Sequence, residues 1–210
     1  MRQTQALPID LRRHYIAHAA AKRPKLPGNL KQLGAVGPVT RVLPANSQHA
    51  IVKVGVTKAS TTGGHLAYLQ QAGKGADGGR GLLFCPQAAQ PRQFAQAAQG
   101  DHHQFRLVVS TPDHARLDRT QFIGLFMAQV LRDFGCDVEW VAAHHYDTAH
   151  PHTHLVVRGR TTEGKDLYME KHYLTQGLRA RASQMLTWLI GPRQLQQQTK
   201  DRQRGQGRGR

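Results

Sequence analysis

VEWVAAHHYDTAHPHTHLVVR, residues 138–158, reads as two strands and the connection between them. Val138–Ala143 and His152–Arg158 are short apolar runs on either side of the polar stretch His144–Pro151, the pattern of an antiparallel hairpin with a broad loop. Outward from it, Arg119–Phe134 places Phe122, Ile123, Leu125, Phe126, Val130, Leu131 and Phe134 on one helical face. Asp118 is the expected N-cap of that helix and Gly135 its stop. FRLVVS, Phe105–Ser110, is a strand. Ile51, Val52, Val54 and Val56 mark another, followed by turn residues Thr57–Gly64, a short helix His65–Ala72 and a Gly-rich loop Gly73–Gly81. The last helix is expected over Leu174–Ile190, stopped by Gly191-Pro192. The order β, α, β, α, β, β, α predicts an α+β fold, an antiparallel sheet with helices packed against one face.

The chain has 210 residues, 39% of them hydrophobic, enough for one core. Its formal net charge is +16, and the two ends, residues 1–50 and 191–210, carry +12 of it. Such ends read as arms that add sequence-independent phosphate affinity, and they divide the chain into a basic, largely disordered arm at 1–49, a catalytic domain at 50–193 and a basic disordered tail at 194–210. Nucleic acid is the expected partner. Cys85 and Cys136 form no CxxC pair, which argues against a disulfide framework or a zinc–cysteine site. The N-terminal region has no long apolar run, so the reading excludes membrane insertion and secretion and expects a cytoplasmic protein.

Residues 144–154 hold five of the thirteen histidines. If His152-Thr153-His154 opens a strand, alternation sends His152 and His154 to one face, where two imidazoles can grip one ion. His145, at the end of the neighbouring strand, completes a three-histidine site with coordination positions left for substrate and water. Three neutral imidazoles leave a divalent cation its full charge to polarise a phosphodiester. Asp147 could fix the tautomer of one ligand, and His150 could do the same or carry a proton. Alternation turns His144 away from His145. A tyrosine hydroxyl is one possible attacking group, water another. Tyr68 lies on the helix before the Gly-rich loop, and Tyr146 lies beside the histidines.

In HLAYLQQAG with Tyr68, FRLVVSTPDHARLD, EWVAAHHYDTAHPHTHLVVRGR and GLRARASQMLTWLIGPR, the sequence resembles the relaxase/mobilization nucleases of plasmids and integrative elements, which share the histidine-hydrophobic-histidine metal motif. It is similar to the agrobacterial border endonuclease class, and the likeness spans roughly residues 50–193. The resemblance implies a bacterial relaxase that nicks single-stranded DNA at an origin of transfer during conjugative mobilisation, together with relaxosome accessory proteins and a coupling protein. It implies Tyr68 as nucleophile, a 5′-phosphotyrosyl intermediate, His145, His152 and His154 as metal ligands, and Mg²⁺ or Mn²⁺ as cofactor. Thr153 stands where the family usually has an apolar residue. Long members carry a further C-terminal region, so the tail after Gly191-Pro192-Arg193 reads as that of a shortened member. A replication initiator or transposase of the same metal architecture, or a non-catalytic DNA-binding relative, are the alternative readings.

Overall fold

A computed structural model describes residues 43–72, 81–84, 91–112, 117–146 and 150–193. Cys85, Asp147, most of the N-terminal arm and the tail from residue 194 lie outside these. The elements are β1 (Ile51–Lys58), a 3-10 turn (Ala59–Thr61), α1 (Thr62–Ala72), β2 (Leu83–Phe84), α2 (Pro91–Ala98), β3 (His103–Ser110), α3 (Arg119–Phe134), β4 (Trp140–His145), β5 (His152–Arg158), a π-helical turn (Tyr173–Gly177) and α4 (Leu178–Ile190). The five strands form one sheet in the order β1-β3-β5-β4-β2. Every neighbouring pair is antiparallel. The α+β class expected from the pattern is the one found.

Helices cover both faces of this sheet, where packing against one face was expected. Phe105, Leu107, Val109, Trp140, Ala142, Leu155 and Val157 turn towards α3 and α4 and form the larger core. Val141, Ala143 and Val156 turn the opposite way, against Leu66 and Leu69 of α1 and Phe94 of α2. The physical reason stands in the central strands: Leu155-Val156-Val157 and Val141-Ala142-Ala143 are apolar without interruption, and a continuous apolar strand needs cover on both sides.

The helix α3 begins and ends where its caps dictate. The Asp118 carboxylate accepts from the Gln121 N–H at 3.0 Å, and Gly135 closes the helix in the left-handed conformation at φ 62°. The last helix departs from expectation, because its first turn, Tyr173–Gly177, is π-helical and α4 proper starts at Leu178. Gly177 accommodates the Tyr173 ring there, since a Cβ would meet the ring at 2.7 Å. The phenol of Tyr173 donates to Asp133 at 2.7 Å, and Arg181 grips the same carboxylate through Nε at 2.6 Å and Nη2 at 2.8 Å.

That carboxylate ties α3 to α4 where both side chains are nearly inaccessible, 6% exposed for Arg181 and 5% for Asp133. Asp133→Ala is expected to destabilise the fold by about 3–5 kcal/mol, because it strips a buried guanidinium of its carboxylate. Urea unfolding measures this, and a loss below about 1 kcal/mol would show that the pair contributes little.

Ahead of β1, the chain from Ala45 runs along the end of α4. Gln48 N–H donates to Thr187 Oγ1 at 2.8 Å, its amide donates to the Gly191 carbonyl at 2.9 Å, and Arg193 N–H donates to the Asn46 carbonyl at 2.7 Å. No helix among the described residues is long and apolar enough to cross a membrane.

Candidate functional site

Alternation along β4 and β5 places His145, His152 and His154 on the α1/α2 face of the sheet, in line with Val141, Ala143 and Val156. The register pairs His145 with His152 directly and Ala143 with His154. One ligand atom from each imidazole lies within 4.8 Å of the other two, with His145 buried and the other two half-buried. The strand β4 runs two residues further than expected at its C-terminal end, to His145, and starts at Trp140.

The hydrogen bonds determine which nitrogens face inward. His152 Nδ1 lies 2.9 Å from the His150 carbonyl, and a carbonyl only accepts, so Nδ1 carries the proton and Nε2 holds the lone pair. By the same logic His145 Nε2, 3.1 Å from the Leu69 carbonyl, is protonated and Nδ1 is the free base. Burial first, then the nearby charges of His145, His152 and His65, push the His154 pKa down to about 4. It is therefore neutral near pH 7 and able to donate electrons to a cation.

The separation of His152 Nε2 from His154 Nε2, 3.1 Å, also fits a shared ion. Two nitrogens each bound at about 2.1 Å to one cation stand roughly 3 Å apart. The three histidines thus could hold a metal ion, and a half-open triad leaves coordination positions on its exposed side.

Other candidates fall as follows. Asp147 lies outside the described residues. His150 is exposed, and its backbone carbonyl is bonded to His152. Tyr68, 60% exposed, sits on α1, and the neighbouring residue in that helix supplies the carbonyl that holds His145. Tyr146 is on the other side: Arg119 of α3 lies 4.2 Å from its ring centroid, and its ring contact is with His144.

His144 points to the opposite face from His145, as alternation requires, but it is not idle there. Its Nδ1 is bonded to Thr153 Oγ1 at 2.8 Å and its Nε2 to Thr120 Oγ1 at 3.1 Å, with the Phe84 ring centroid 4.6 Å away. Burial first, and the Arg119 charge second, bring its pKa down to about 4. Thr153 is buried and is the partner of this histidine. His144→Ala should leave Mn²⁺ affinity within about twofold and yet lower stability by about 1–3 kcal/mol, because two hydroxyls lose their partner and a cavity opens under Phe84. Calorimetric metal titration and thermal unfolding, run on the same preparation, check both halves. A large loss of metal affinity would contradict the strand register.

Two residues of this face carried no role in the sequence reading. His65 lies three positions before Tyr68 and stacks on it, ring centroids 6.2 Å apart. Arg106 of β3 lies on the same sheet face as the triad, one alternation step from Val108, which is paired with His154. The helical i, i+3 spacing and the period-two alternation were the signals that could have found them.

An antiparallel α+β domain with three histidines gathered on one sheet face offers a donor set that could hold a metal ion. Residues 83–184 match the family model Relaxase: MobA/VirD2-like, nuclease domain. Over those residues the chain is similar to that family, and the match supports a relaxase-like, DNA-nicking function in general terms. The match includes all three histidines and Arg106, and it begins after α1, so Tyr68 stands outside it. No curated protein and no solved structure matches the chain.

Proposed function

We propose that this chain nicks single-stranded DNA at an origin of transfer by tyrosine transesterification, with Tyr68 as nucleophile and His145, His152 and His154 as ligands of Mg²⁺ or Mn²⁺. The observation that carries the reading is the 3.1 Å bond from His145 to the Leu69 carbonyl. It couples the triad to the helix that bears Tyr68, so nucleophile and cation site share one face. When bound, the divalent cation withdraws charge from a non-bridging phosphate oxygen.

The Tyr68 oxygen forms a bond to phosphorus as the bond from phosphorus to the 3′ oxygen breaks. The phenol loses its proton and the departing 3′ oxygen gains one, which leaves a 5′-phosphotyrosyl protein and a free 3′-OH. One phosphodiester replaces another, so the step needs no nucleotide cofactor and the reverse step rejoins the strand. His150, exposed beside the triad, is the proposed proton carrier, and Asp147 the proposed group that fixes a ligand tautomer. The basic ends hold the strand by sequence-independent contacts, and relaxosome accessory proteins and a coupling protein are the expected partners in mobilisation.

The test is incubation of the full chain with labelled single-stranded origin DNA and Mg²⁺ or Mn²⁺, followed by denaturing electrophoresis. The reading expects an SDS-resistant adduct that EDTA abolishes. Cleavage without an adduct would indicate water as the nucleophile, and no cleavage would refute nicking.

A further inference from the structure

We propose that Arg106, with His65 beside it, forms a seat for a phosphodiester group next to the histidine triad, Arg106 acting as a positioning residue for the strand. This rests on the DNA-nicking reading above.

The arginines that reach the sheet and its helices are anchored by hydrogen bonds to partners that differ in kind, and Arg160, in the turn after β5, is held by the Gly164 carbonyl at 2.7 Å. Arg158 is held by Asp101 and Glu139, and Arg181 by Asp133. Their charges are neutralised in place. Arg106 is fixed as firmly by neutral groups alone. Its Nη2 donates to the Thr61 hydroxyl at 2.6 Å and reaches the Thr61 carbonyl at 3.4 Å.

Gln104, fully buried, completes the anchor. The Thr62 hydroxyl gives its single proton to the Ala59 carbonyl, so towards Gln104 it must accept, and the Gln104 amide nitrogen faces it at 2.6 Å. In that orientation the Gln104 oxygen accepts from Arg106 Nη2 at 2.8 Å and Nε at 3.0 Å. Among the described residues no carboxylate pairs with this guanidinium and nothing is bonded to Nη1. Burial pulls its pKa below the usual arginine value, the direction expected of a charge that lacks a counter-charge. A rigid, partly desolvated guanidinium with one edge unoccupied is suited to a phosphate oxygen.

Its position gives the seat a purpose. Arg106 is paired with Val156 and Val108 with His154, so Arg106 and the residue beside His154 are two residues apart, about 7 Å along the strand. His65 of α1 is near enough to both for their charges to be felt: burial first and the Arg106 charge second lower its pKa, and His65 in turn contributes to lowering that of His154. It also stacks on Tyr68. The first turn of α1 has no acidic residue, so nothing there repels an anion. A phosphate held by Arg106 would lie beside both Tyr68 and the triad.

The experiment titrates a thymidine dinucleoside monophosphate into the full chain loaded with diamagnetic Mg²⁺, following the shifts of the His65 ring protons and of the ligand phosphorus signal. Arg106→Gln and Arg106→Lys are compared with the wild type, and Mn²⁺ affinity is measured for each. The expected result is at least about a tenfold loss of dinucleotide affinity in Arg106→Gln, partial recovery in Arg106→Lys, and Mn²⁺ affinity within about twofold throughout. Arg106→Gln keeps a donor for Thr61, so the fold is expected to survive, and thermal unfolding verifies it. Dinucleotide affinity within twofold of wild type in Arg106→Gln overturns the seat. Displacement of the dinucleotide by an equal concentration of inorganic phosphate overturns its assignment to a nucleic-acid strand. If the wild type cuts no DNA while binding still depends on Arg106, the nicking reading falls and the seat stands; if it cuts DNA without that dependence, the reverse holds.

Discussion

The Tyr68→Phe protein is expected to bind single-stranded DNA within about threefold of the wild type and to form no covalent adduct at all. Loss of one hydroxyl barely changes an interface dominated by phosphate charge, whereas it removes the atom that bonds to phosphorus in the proposed step. The ring itself survives in the variant, so its stacking on His65 does too. Tyr146 offers no ready substitute. Its ring is engaged by Arg119 and His144 on the α3 side of the sheet, away from the face where His145, His152 and His154 meet. Electrophoresis of the two proteins under identical metal and DNA conditions makes the comparison, and an adduct of normal yield from Tyr68→Phe would transfer the nucleophile elsewhere.

His154→Ala should lower Mn²⁺ affinity by about a hundredfold or more, and cleavage should fall with it. The loss is large because this imidazole is half-buried, neutral and faces His152 at 3.1 Å, so its removal leaves two ligands and a gap that side-chain motion cannot close. His152→Ala and His145→Ala belong to the same group. His145→Ala has a further consequence, because its bond to the Leu69 carbonyl is also lost. Adduct yield should therefore stay low in His145→Ala even when Mn²⁺ is raised to saturation, whereas part of the activity of His152→Ala should return. Equal small losses across all the histidines would describe a loose chelator instead of one shared site.

Much of this arrangement was legible because the sequence states it locally. Asp118 and Gly135 mark α3 to the residue, and the hairpin of β4 and β5 follows from two valine-rich runs. Other parts escaped for physical reasons. The strand β2 is two residues long within the described residues, too short to express a period, and α2 buries just Phe94 and Ala98 among glutamines. Polar histidines concealed the end of β4, where His144 and His145 still belong to the strand. Helices on both faces were implied by the unbroken apolar runs at 141–143 and 155–157. The π-helical turn depends on how Tyr173 packs over Gly177, which no periodicity encodes.

The site follows the same division. Strand alternation alone brings His152 and His154 together and turns His144 away. The carbonyls that fix the tautomers of His145 and His152 come from Leu69 and His150, and a backbone group carries no sequence signature. Arg106 was hidden for a related reason: an arginine in a strand looks like a solvated charge until the buried Gln104 beneath it is seen.

The central claim is that a phosphotyrosyl bond forms at Tyr68 under the control of the histidine triad, and peptide mapping of the covalent product tests it most directly. Full-length protein, single-stranded origin DNA and Mn²⁺ are incubated, the adduct is digested with nuclease and protease, and the modified peptide is sequenced by mass spectrometry. The account predicts a nucleotide on Tyr68, absent when EDTA is present or His154 is alanine. A nucleotide on Tyr146 or on any other residue, or an adduct that forms without metal, would contradict it.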